Sequence, residues 1–365
     1  MDVVTPRAHR RTPSPSFWRQ RRVLVTGHTG FKGSWLCAWL EQLGADVVGV
    51  SLAERAMQPN LRDELGCGSV AEIEADITSD EWQAAAFEFQ PEVVFHLAAQ
   101  ALVPVGYVDP LRTFATNVHG SALVMEALAK TSSVRAAVMV TTDKVYDIRQ
   151  PLPYAENAFL GGADPYSASK AAMELVVHAW PPLPCPVATA RAGNVIGGGD
   201  WSADRLLPDL VRGFTAGEPL VLRRPTAVRP WQHVLEPLRG YLILAEALVE
   251  DPTISRAFNL GPDESQCVPV ADVVTYGAEY WGQRTRGFAP RWSAHAEPPI
   301  EETELLVLDS SLAKDELGWT NALDWRSAVR LTIDWHLQHA SGVSARDLVS
   351  AEITEYVRAI EEGCH

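Results

Sequence analysis

The sequence predicts an α/β fold built on a doubly wound parallel sheet, and three observations support this prediction. Short apolar runs alternate with segments of helical periodicity, which is typical of βαβ units. The first apolar run, Arg22 to Thr26, passes directly into a glycine-rich turn and then into an amphipathic helix. A chain of 365 residues is also long enough for a smaller, interleaved α/β domain beside the first.

The turn after this strand carries the glycines of a dinucleotide-binding fingerprint. Gly27 permits the tight turn, Gly30 lets the backbone approach a pyrophosphate, and Gly33 allows the next helix to pack closely on the strand. That helix, Ser34 to Leu43, would point its unpaired N–H groups at the phosphates. A glycine triplet alone is weak evidence, but its place after the first strand predicts a Rossmann site. The candidate cofactor contacts in the turn are Gly27, His28, Thr29, Gly30, Phe31, Lys32 and Gly33.

The second strand, Ala45 to Val50, leaves the choice between NAD and NADP open. Ser51 stands where an acidic residue would bind the ribose 2′-hydroxyl of NAD, and that acid is absent. Lys32 and Arg55 could instead favour a 2′-phosphate. We expect NAD and keep NADP as the alternative.

Further cofactor contacts are expected where the third and fourth strands end. The third strand is predicted to end at Ala75 to Ile77, and its end could receive the adenine edge. The fourth, which begins at Val93, leads into a loop of small residues that permits close approach of a cofactor. His96 on this strand is expected to be a packed structural histidine. The candidate contacts are Asp76, Ile77, Leu97, Ala98 and Ala99.

The most reactive side chains follow a fifth predicted strand, Ala136 to Val140, and open a later helix. Tyr166 and Lys170 are four positions apart, so they share one face of that helix. A phenol with an ordinary pKa of about 10 is a poor base at neutral pH until a nearby cation, here Lys170, favours the phenolate. Thr142 can hydrogen-bond the same oxygen. With the glycine turn upstream, the pair is predicted to be catalytic and to contact the cofactor.

Four blocks of sequence resemble the extended short-chain dehydrogenase/reductase family, the NAD-dependent epimerases and dehydratases. They are GHTGFKGSWL from Gly27, HLAAQ from His96, ARAGNVIGGGDW from Ala190 and VRPWQHVLEPLRGYL from Val228. The last two resemble the branch that dehydrates CDP-glucose rather than ordinary sugar epimerases. The resemblance extends from about Phe17 to the C-terminus. It implies a Rossmann domain and a smaller interleaved α/β substrate-binding domain.

The resemblance also implies a reaction without net redox change. Tyr166 would act as base while the nicotinamide takes a hydride from sugar carbon 4. Water would then leave across carbons 5 and 6, and the hydride would return to carbon 6, giving CDP-4-keto-6-deoxyglucose for surface-polysaccharide deoxysugars. Asp143 maps onto the acid that protonates the departing 6-hydroxyl. Its alternative role is a helix or turn cap.

Lys144 stands where the broader dehydratase pattern has a glutamate base, so the base at carbon 5 stays open. To act as a base, Lys144 must be neutral, and its ordinary pKa is about 10.4. Alternatively, it stays charged and holds the developing enolate. An acid role for Asp143 requires burial, because an unperturbed aspartate titrates near about 3.9.

By the same resemblance, arginines of the second half hold the diphosphate, which guanidinium groups match bidentately. Trp231 would either stack on the cytosine or the sugar, or pack between the domains. Pro104 to Gly106 and the pair Glu301 and Glu302 depart from the branch's pattern, and no catalytic role is assigned to either place. The candidate substrate contacts are Gln100, Asn194, Arg205, Leu206, Arg229 and Trp231.

Composition and segment order bound the remaining possibilities. We predict a flexible leader (1–16), a cofactor domain (17–191 with 233–261) and a nucleotide-sugar domain (192–232 with 262–365). The formal net charge of −15 argues against nucleic-acid partners and anionic membranes, and no apolar stretch approaches the length of a membrane span. Five cysteines without paired spacing fit reduced thiols in the cytoplasm. No cluster has metal-ligand spacing, so no metal is expected.

Two apolar helical stripes predict a homodimer. Part of each stripe must pack on the sheet, and the resemblance implies that the rest pairs across a two-fold axis as a four-helix bundle. Two other functions stay open: a 4-epimerase or a dehydratase of another nucleotide sugar, and a cofactor-binding sensor without turnover. The stripe residues are Leu111, Phe114, Val118, Met125 and Leu128, then Leu175, Val176 and Trp180.

Overall fold

The computed structural model describes residues 10–55, 58–66, 68–285, 291–295 and 305–363. In chain order its strands are β1 (Arg22–Thr26), β2 (Asp46–Ser51), β3 (Ala71–Glu74), β4 (Val93–His96), β5 (Ala136–Val140), β6 (Val187–Arg191), β7 (Val195–Ile196), β8 (Leu220–Leu222), β9 (Val228–Pro230), β10 (Gln232–His233), β11 (Ala257–Asn259), β12 (Cys267–Pro269) and β13 (Trp292–Ala294).

Helices alternate with these strands. They are α1 (Pro15–Trp18), α2 (Phe31–Gln42), α3 (Leu61–Leu65), α4 (Glu81–Glu88), α5 (Val103–Val108), α6 (Pro110–Phe114), α7 (Gly120–Ala129), α8 (Pro165–Ala179), α9 (Leu206–Ala216), α10 (Leu235–Glu250), α11 (Val270–Thr285), α12 (Ser311–Leu317), α13 (Trp325–Ala340) and α14 (Ala345–Glu361). A π-helical turn (Ala115–His119) joins α6 to α7, and Asp143–Val145 and Glu264–Gln266 form 3₁₀ turns.

The central sheet confirms the predicted fold class. Its strand order is β11-β6-β5-β4-β1-β2-β3, and every neighbouring pair is parallel. The chain winds outward in one direction from β1 and in the other from β4. The crevice between these two strands, at their carboxyl ends, is therefore where a doubly wound sheet binds a ligand.

Both faces of the sheet are covered by helices. Val25, Phe95 and Val138 face one apolar cluster, which includes side chains of α2, α10 and α14. Their neighbours Leu24 and Val94 face a second cluster, which α4, α7 and α8 complete. Because successive strand residues point to opposite faces, strands buried on both faces appear in the sequence as continuous apolar runs.

The end of the third strand was predicted wrongly. β3 ends at Glu74, before Asp76 and Ile77. The Asp76 carboxylate accepts hydrogen bonds from the backbone N–H and the hydroxyl of Thr78, at 2.9 and 2.8 Å. This local turn competes with the ladder and ends the strand.

Part of the predicted leader, residues 10–16, contacts the folded chain. Arg11 pairs with the fully buried Glu246 at 2.9 Å, and the Ser14 N–H donates to the same carboxylate at 2.7 Å. The indole of Trp18 donates to it as well, at 2.7 Å. These contacts attach the start of the described chain to α10.

The segments outside the sheet form a third apolar cluster around α9, α11 and α13. Small two-stranded sheets accompany it: β7 with β10, β9 with β12, and β8 with β13. The domain boundaries proposed from the sequence stay a prediction. None of the helices in the described part of the chain combines the length and the apolar character that a membrane crossing requires.

Candidate active site

The glycine turn lies at the carboxyl ends of β1 and β4 and leaves space for a phosphate. Gly27 has a φ of +73°, and a side chain there would begin 2.6 Å from the Ala98 backbone nitrogen. A side chain at Gly33 would begin 2.1 Å from the Gly27 carbonyl oxygen. Gly30 is the N-cap of α2 and offers no side-chain cap. The N–H groups of the first turn of α2 are therefore suited to a pyrophosphate, and the turn fits a dinucleotide.

The side chains of the turn point in different directions. His28 is buried, and its Nε2 lies 3.5 Å from a carboxylate oxygen of Glu72, below β2. Burial lowers the pKa of His28. The Nζ of Lys32 donates instead to the hydroxyl of Tyr241 on α10, at 3.3 Å, and burial lowers the Lys32 pKa to about 8. Lys32 therefore points away from the end of β2, where a ribose 2′-phosphate would lie.

The remaining predicted cofactor contacts differ in how far their side chains are exposed. Leu97, Ala98 and Ala99 follow β4 directly and are half-buried beside the glycine turn. Ile77 is buried against the start of α7, whereas the carboxylate of Asp76 is used in its own turn. The Asp76 side chain is exposed at this edge.

His96 is confirmed as a structural histidine. Its Nδ1 lies 2.7 Å from the Thr26 hydroxyl and its Nε2 lies 2.9 Å from the Ser121 hydroxyl, so both ring nitrogens have partners. Burial lowers its pKa to about 3, with the charge of Lys170 adding to the effect. The ring is therefore neutral at physiological pH.

The predicted catalytic side chains meet beyond the end of β5. The Thr142 hydroxyl donates to Asp143 Oδ1 at 2.9 Å, and the same hydroxyl lowers the pKa of Tyr166. Tyr166 lies in the first turn of α8, which begins at Pro165 and is capped by the Asp164 carboxylate. One turn later, Lys170 Nζ donates to the Val140 carbonyl at 3.0 Å. Helix α8 and the end of β5 thus bring Thr142, Asp143, Tyr166 and Lys170 together.

Burial has the largest influence on the pKa of Tyr166 in this structure, and the effect predicted for Lys170 stays a prediction. Burial raises the pKa of Tyr166, and the Thr142 hydrogen bond and the charge of Arg205 oppose this only in part. Burial lowers the pKa of Lys170 to about 7, because the ammonium is enclosed and lies near Lys32. The prediction overlooked desolvation, which acts against the charged form of both groups. In this state the phenol is protonated.

Asp143 has the environment that an acid requires. Its side chain is 1% exposed, and burial raises its pKa, although the charges of Lys144 and Arg229 oppose the shift. Its Oδ2 has no hydrogen-bond partner among the described residues. A side chain at Gly193 would begin 2.3 Å from this oxygen, so it would displace the Asp143 carboxyl group. The arrangement can hold a proton on a carboxyl group whose second oxygen is unpaired.

Lys144 is half-buried, and its backbone N–H donates to the Thr142 hydroxyl at 3.4 Å. Its charge lowers the pKa of Asp143. Whether Lys144 acts as a base or as a charged stabiliser stays a prediction.

Two of the predicted substrate arginines lie near the same centre. Arg205 precedes the first residue of α9 and donates to the Ala101 carbonyl at 3.2 Å. Its charge lowers the pKa of Tyr166. Arg229 on β9 is 3% exposed and lowers the pKa of Asp143. Leu206 is the first residue of α9. The backbone carbonyl of Asn194 accepts from Gln232.

The other two predicted substrate residues make contacts inside the protein. The Gln100 amide accepts from the Leu102 N–H at 2.7 Å and donates to the Thr113 hydroxyl at 2.9 Å. Trp231 is 3% exposed, and its indole donates to the Val268 carbonyl at 3.1 Å. The geometry of Trp231 favours packing, one of its two predicted roles.

Comparison with known proteins decides the family. The sequence model of the NAD dependent epimerase/dehydratase family matches residues 23–261. The chain belongs to this family. Its cofactor is therefore NAD, and the glycine turn described above fits it.

Two relatives and one solved structure show which enzymes this chain is similar to. The CDP-glucose 4,6-dehydratase of Salmonella typhimurium is 37% identical over 358 residues, which cover 94% of this chain and 98% of the relative. A dTDP-glucose 4,6-dehydratase of Xanthomonas campestris is 29% identical and covers 88% of this chain and 94% of its own. The solved structure of MoeE5 with UDP-glucose and NAD matches with a TM-score of 0.74 and 26% identity, covering 87% of this chain and 99% of that one.

The sequence analysis missed one buried side chain beside the catalytic residues. Glu174 on α8 is buried and accepts hydrogen bonds from the hydroxyls of Thr141 and Thr189, at 2.5 and 2.7 Å, and from Arg191 at 2.9 Å. It links the helix of Tyr166 and Lys170 to the ends of β5 and β6. Its position four residues after Lys170, on the same helix face, was the available signal.

Proposed function

We propose that the protein dehydrates CDP-D-glucose to CDP-4-keto-6-deoxy-D-glucose by internal hydride transfer. The observation that carries this is Asp143, a buried carboxyl group with a raised pKa and an unpaired oxygen, next to Thr142. A 4-epimerase requires no acid for a departing hydroxyl. The identity to the Salmonella enzyme over 94% of the chain supports the same reaction.

Each proton transfer of the proposed reaction is assigned to a different side chain. Bound NAD supplies reversible hydride transfer, accepting from carbon 4 and returning to carbon 6. Tyr166 receives the proton of the 4-hydroxyl, and Thr142 hydrogen-bonds that oxygen. Because burial raises the Tyr166 pKa, positive charge beside it, including that of Arg205, is required before it acts as a base. Asp143 donates its proton to the departing 6-hydroxyl, and Lys144 either removes the carbon-5 proton or stabilises the enolate.

We propose that the nucleotide sugar binds next to the catalytic groups. Arg205 and Arg229 would hold the diphosphate, since both carry their charge close to the catalytic groups. The segment after β6 and the start of α9 would then form the substrate domain, 192–232 with 262–365. The cofactor domain would be 17–191 with 233–261.

The test is incubation of the purified protein with CDP-, dTDP-, GDP- and UDP-glucose. Products are followed by the alkaline ultraviolet absorbance of a 4-keto-6-deoxy sugar and by mass spectrometry. We expect loss of one water from the CDP sugar. Conversion to a galactose isomer without mass change would instead identify an epimerase. Absence of any product, with cofactor still bound, would favour a sensor.

We also propose a homodimer. On α6 and α8, Leu111 is 84% and Leu175 57% exposed, whereas Met125 and Leu128 of the same predicted stripes are buried against the sheet. The exposed part is thus separate from the part that the fold itself covers. Sedimentation of the wild-type protein should give a dimeric mass, and a Leu111→Asp/Leu175→Asp variant should sediment as a monomer. A monomeric wild-type protein would contradict the proposal.

We propose a cytoplasmic location because the described cysteines are free thiols. Cys37, Cys185 and Cys267 are free, and these are the described cysteines. Burial raises the pKa of each of them, so they are protonated and unreactive at neutral pH.

A further inference from the structure

A group of charged side chains lies where the ribose of the adenosine half would be held. The Thr29 N–H donates to the Ser51 hydroxyl at 3.3 Å, and the Asn60 amide donates to the Thr29 carbonyl at 3.0 Å. The glycine turn, the end of β2 and the start of α3 therefore meet at one point. In a doubly wound fold this is where the ribose 2′ position lies, and a residue at the end of β2 reads it.

Two arginines at this point are already paired, and one carboxylate holds both. Arg62 Nε donates to Glu72 Oε1 at 3.0 Å, and Arg55 Nη2 donates to Glu72 Oε2 at 3.3 Å. Asp63 takes a second donor of Arg55, Nε, at 3.1 Å. Glu72 lies on β3, the strand next to β2. It remains ionised, because the Arg62 hydrogen bond and the neighbouring positive charges outweigh burial and keep its pKa below the ordinary value.

This pairing determines which ribose substituent fits. A 2′-phosphate carries a charge of about −1.5 to −2 and requires free guanidinium donors. Here it would meet the Glu72 and Asp63 carboxylates and two arginines whose charges are neutralised. A 2′-hydroxyl needs only hydrogen bonds, and the Ser51 hydroxyl can donate one.

We propose that Glu72 sets the preference of this protein for NAD over NADP by holding Arg55 and Arg62 in ion pairs. The carboxylate that disfavours the 2′-phosphate is thus supplied by β3, in place of the acidic residue that is absent at the end of β2. The proposal rests on NAD binding and does not depend on which sugar nucleotide is the substrate.

The test measures binding of ADP-ribose and 2′-phospho-ADP-ribose to the full-length protein by calorimetry, after bound nucleotide has been removed. Glu72→Gln should strengthen binding of the phosphorylated ligand relative to ADP-ribose by about tenfold, because Arg55 loses one of its two carboxylate partners and can bind the phosphate. Arg62 is 2% exposed and also lies 3.9 Å from Glu41, so its contribution is indirect. Adding Arg55→Met to this variant should remove most of the gain. A ratio unchanged from wild type in Glu72→Gln would overturn the proposal.

Glu74→Gln is the matched control. Glu74 lies on the same strand, is the register partner of Ser51, and makes no hydrogen bond or ion pair with an arginine in the described parts of the chain. It removes the same charge without releasing Arg55 or Arg62, so a gain as large as that of Glu72→Gln would show a general charge effect and sink the proposal.

A second variant that frees a donor of Arg55 serves if Glu72→Gln does not fold. Asp63→Asn frees one donor of Arg55 while Glu72 stays in place. It should give a smaller shift in the same direction. No shift in a folded Asp63→Asn protein, as judged by its thermal midpoint, would count against the proposal.

Discussion

The charged groups near the glycine turn and those beyond β5 lie in opposite environments. Below the glycine turn, Glu72 is ionised and shared between two arginines. Beyond β5, Asp143 is enclosed and one of its oxygens has no partner among the described residues. Lys170 is also enclosed, and its hydrogen-bond partners in the described chain are a carbonyl and a thioether. The first arrangement fixes charges and can discriminate between ligands. The second raises an acid's pKa and lowers an amine's, which is what proton transfer near neutral pH requires.

Asp143→Asn should have the largest effect, because it removes the proposed acid while keeping its shape. We expect the turnover number to fall by about 10²–10⁴-fold. ADP-ribose affinity should stay at the wild-type value, which calorimetry would check. A turnover number within a few-fold of wild type would show that Asp143 is not the acid. The proposed functional difference between the Glu72 and Asp143 regions would then be wrong.

Gly193→Ala tests whether the space around Asp143 matters. The added carbon would lie 2.3 Å from Asp143 Oδ2 and 2.9 Å from a Pro230 ring carbon, so both neighbours must move. We expect a loss of about 1–3 kcal/mol in unfolding free energy, with reduced turnover. Gly213→Ala on α9 is the control, since its new carbon would meet nothing closer than 3.5 Å. Equal stability changes in both variants would contradict the steric explanation.

Lys170→Met tests the enclosed amine through the pH dependence of the unfolding free energy. Burial lowers the Lys170 pKa to about 7 in the folded protein, against about 10.4 in an unfolded chain. Between these values the unfolded state binds more protons, so Lys170 makes stability rise with pH. Urea unfolding at several pH values from 7 to 10 should show a shallower rise in the variant.

Lys32 is the comparison for this experiment. Its pKa is lowered to about 8, so Lys32→Met should flatten the same curve over a narrower range, from about 8 upward. If Lys170→Met keeps the full wild-type slope, the lysine is not desolvated as described.

The central strands were predictable because most of their residues are buried and apolar; these strands are β1, β2, β4, β5 and β6. The glycine turn was predictable because Gly27 and Gly33 are required by close backbone contacts that the motif records. Boundaries were less secure: β3 ends early because the side chain of Asp76 makes its own turn. The roles of Gln100 and Trp231 could not be judged either, since their hydrogen-bond partners, Thr113 and Val268, are set by tertiary packing.

What the sequence determined by itself was the order of strands and helices, the phosphate-binding turn and the types of residue at the catalytic edge. These are local properties, set by hydrophobic periodicity and by short motifs. Only the tertiary structure decided the protonation of these groups and the partners of Arg55, Arg62 and Glu174. A pKa depends on how completely distant segments exclude water, and an ion pair depends on which strands become neighbours, and neither quantity is contained in a local pattern.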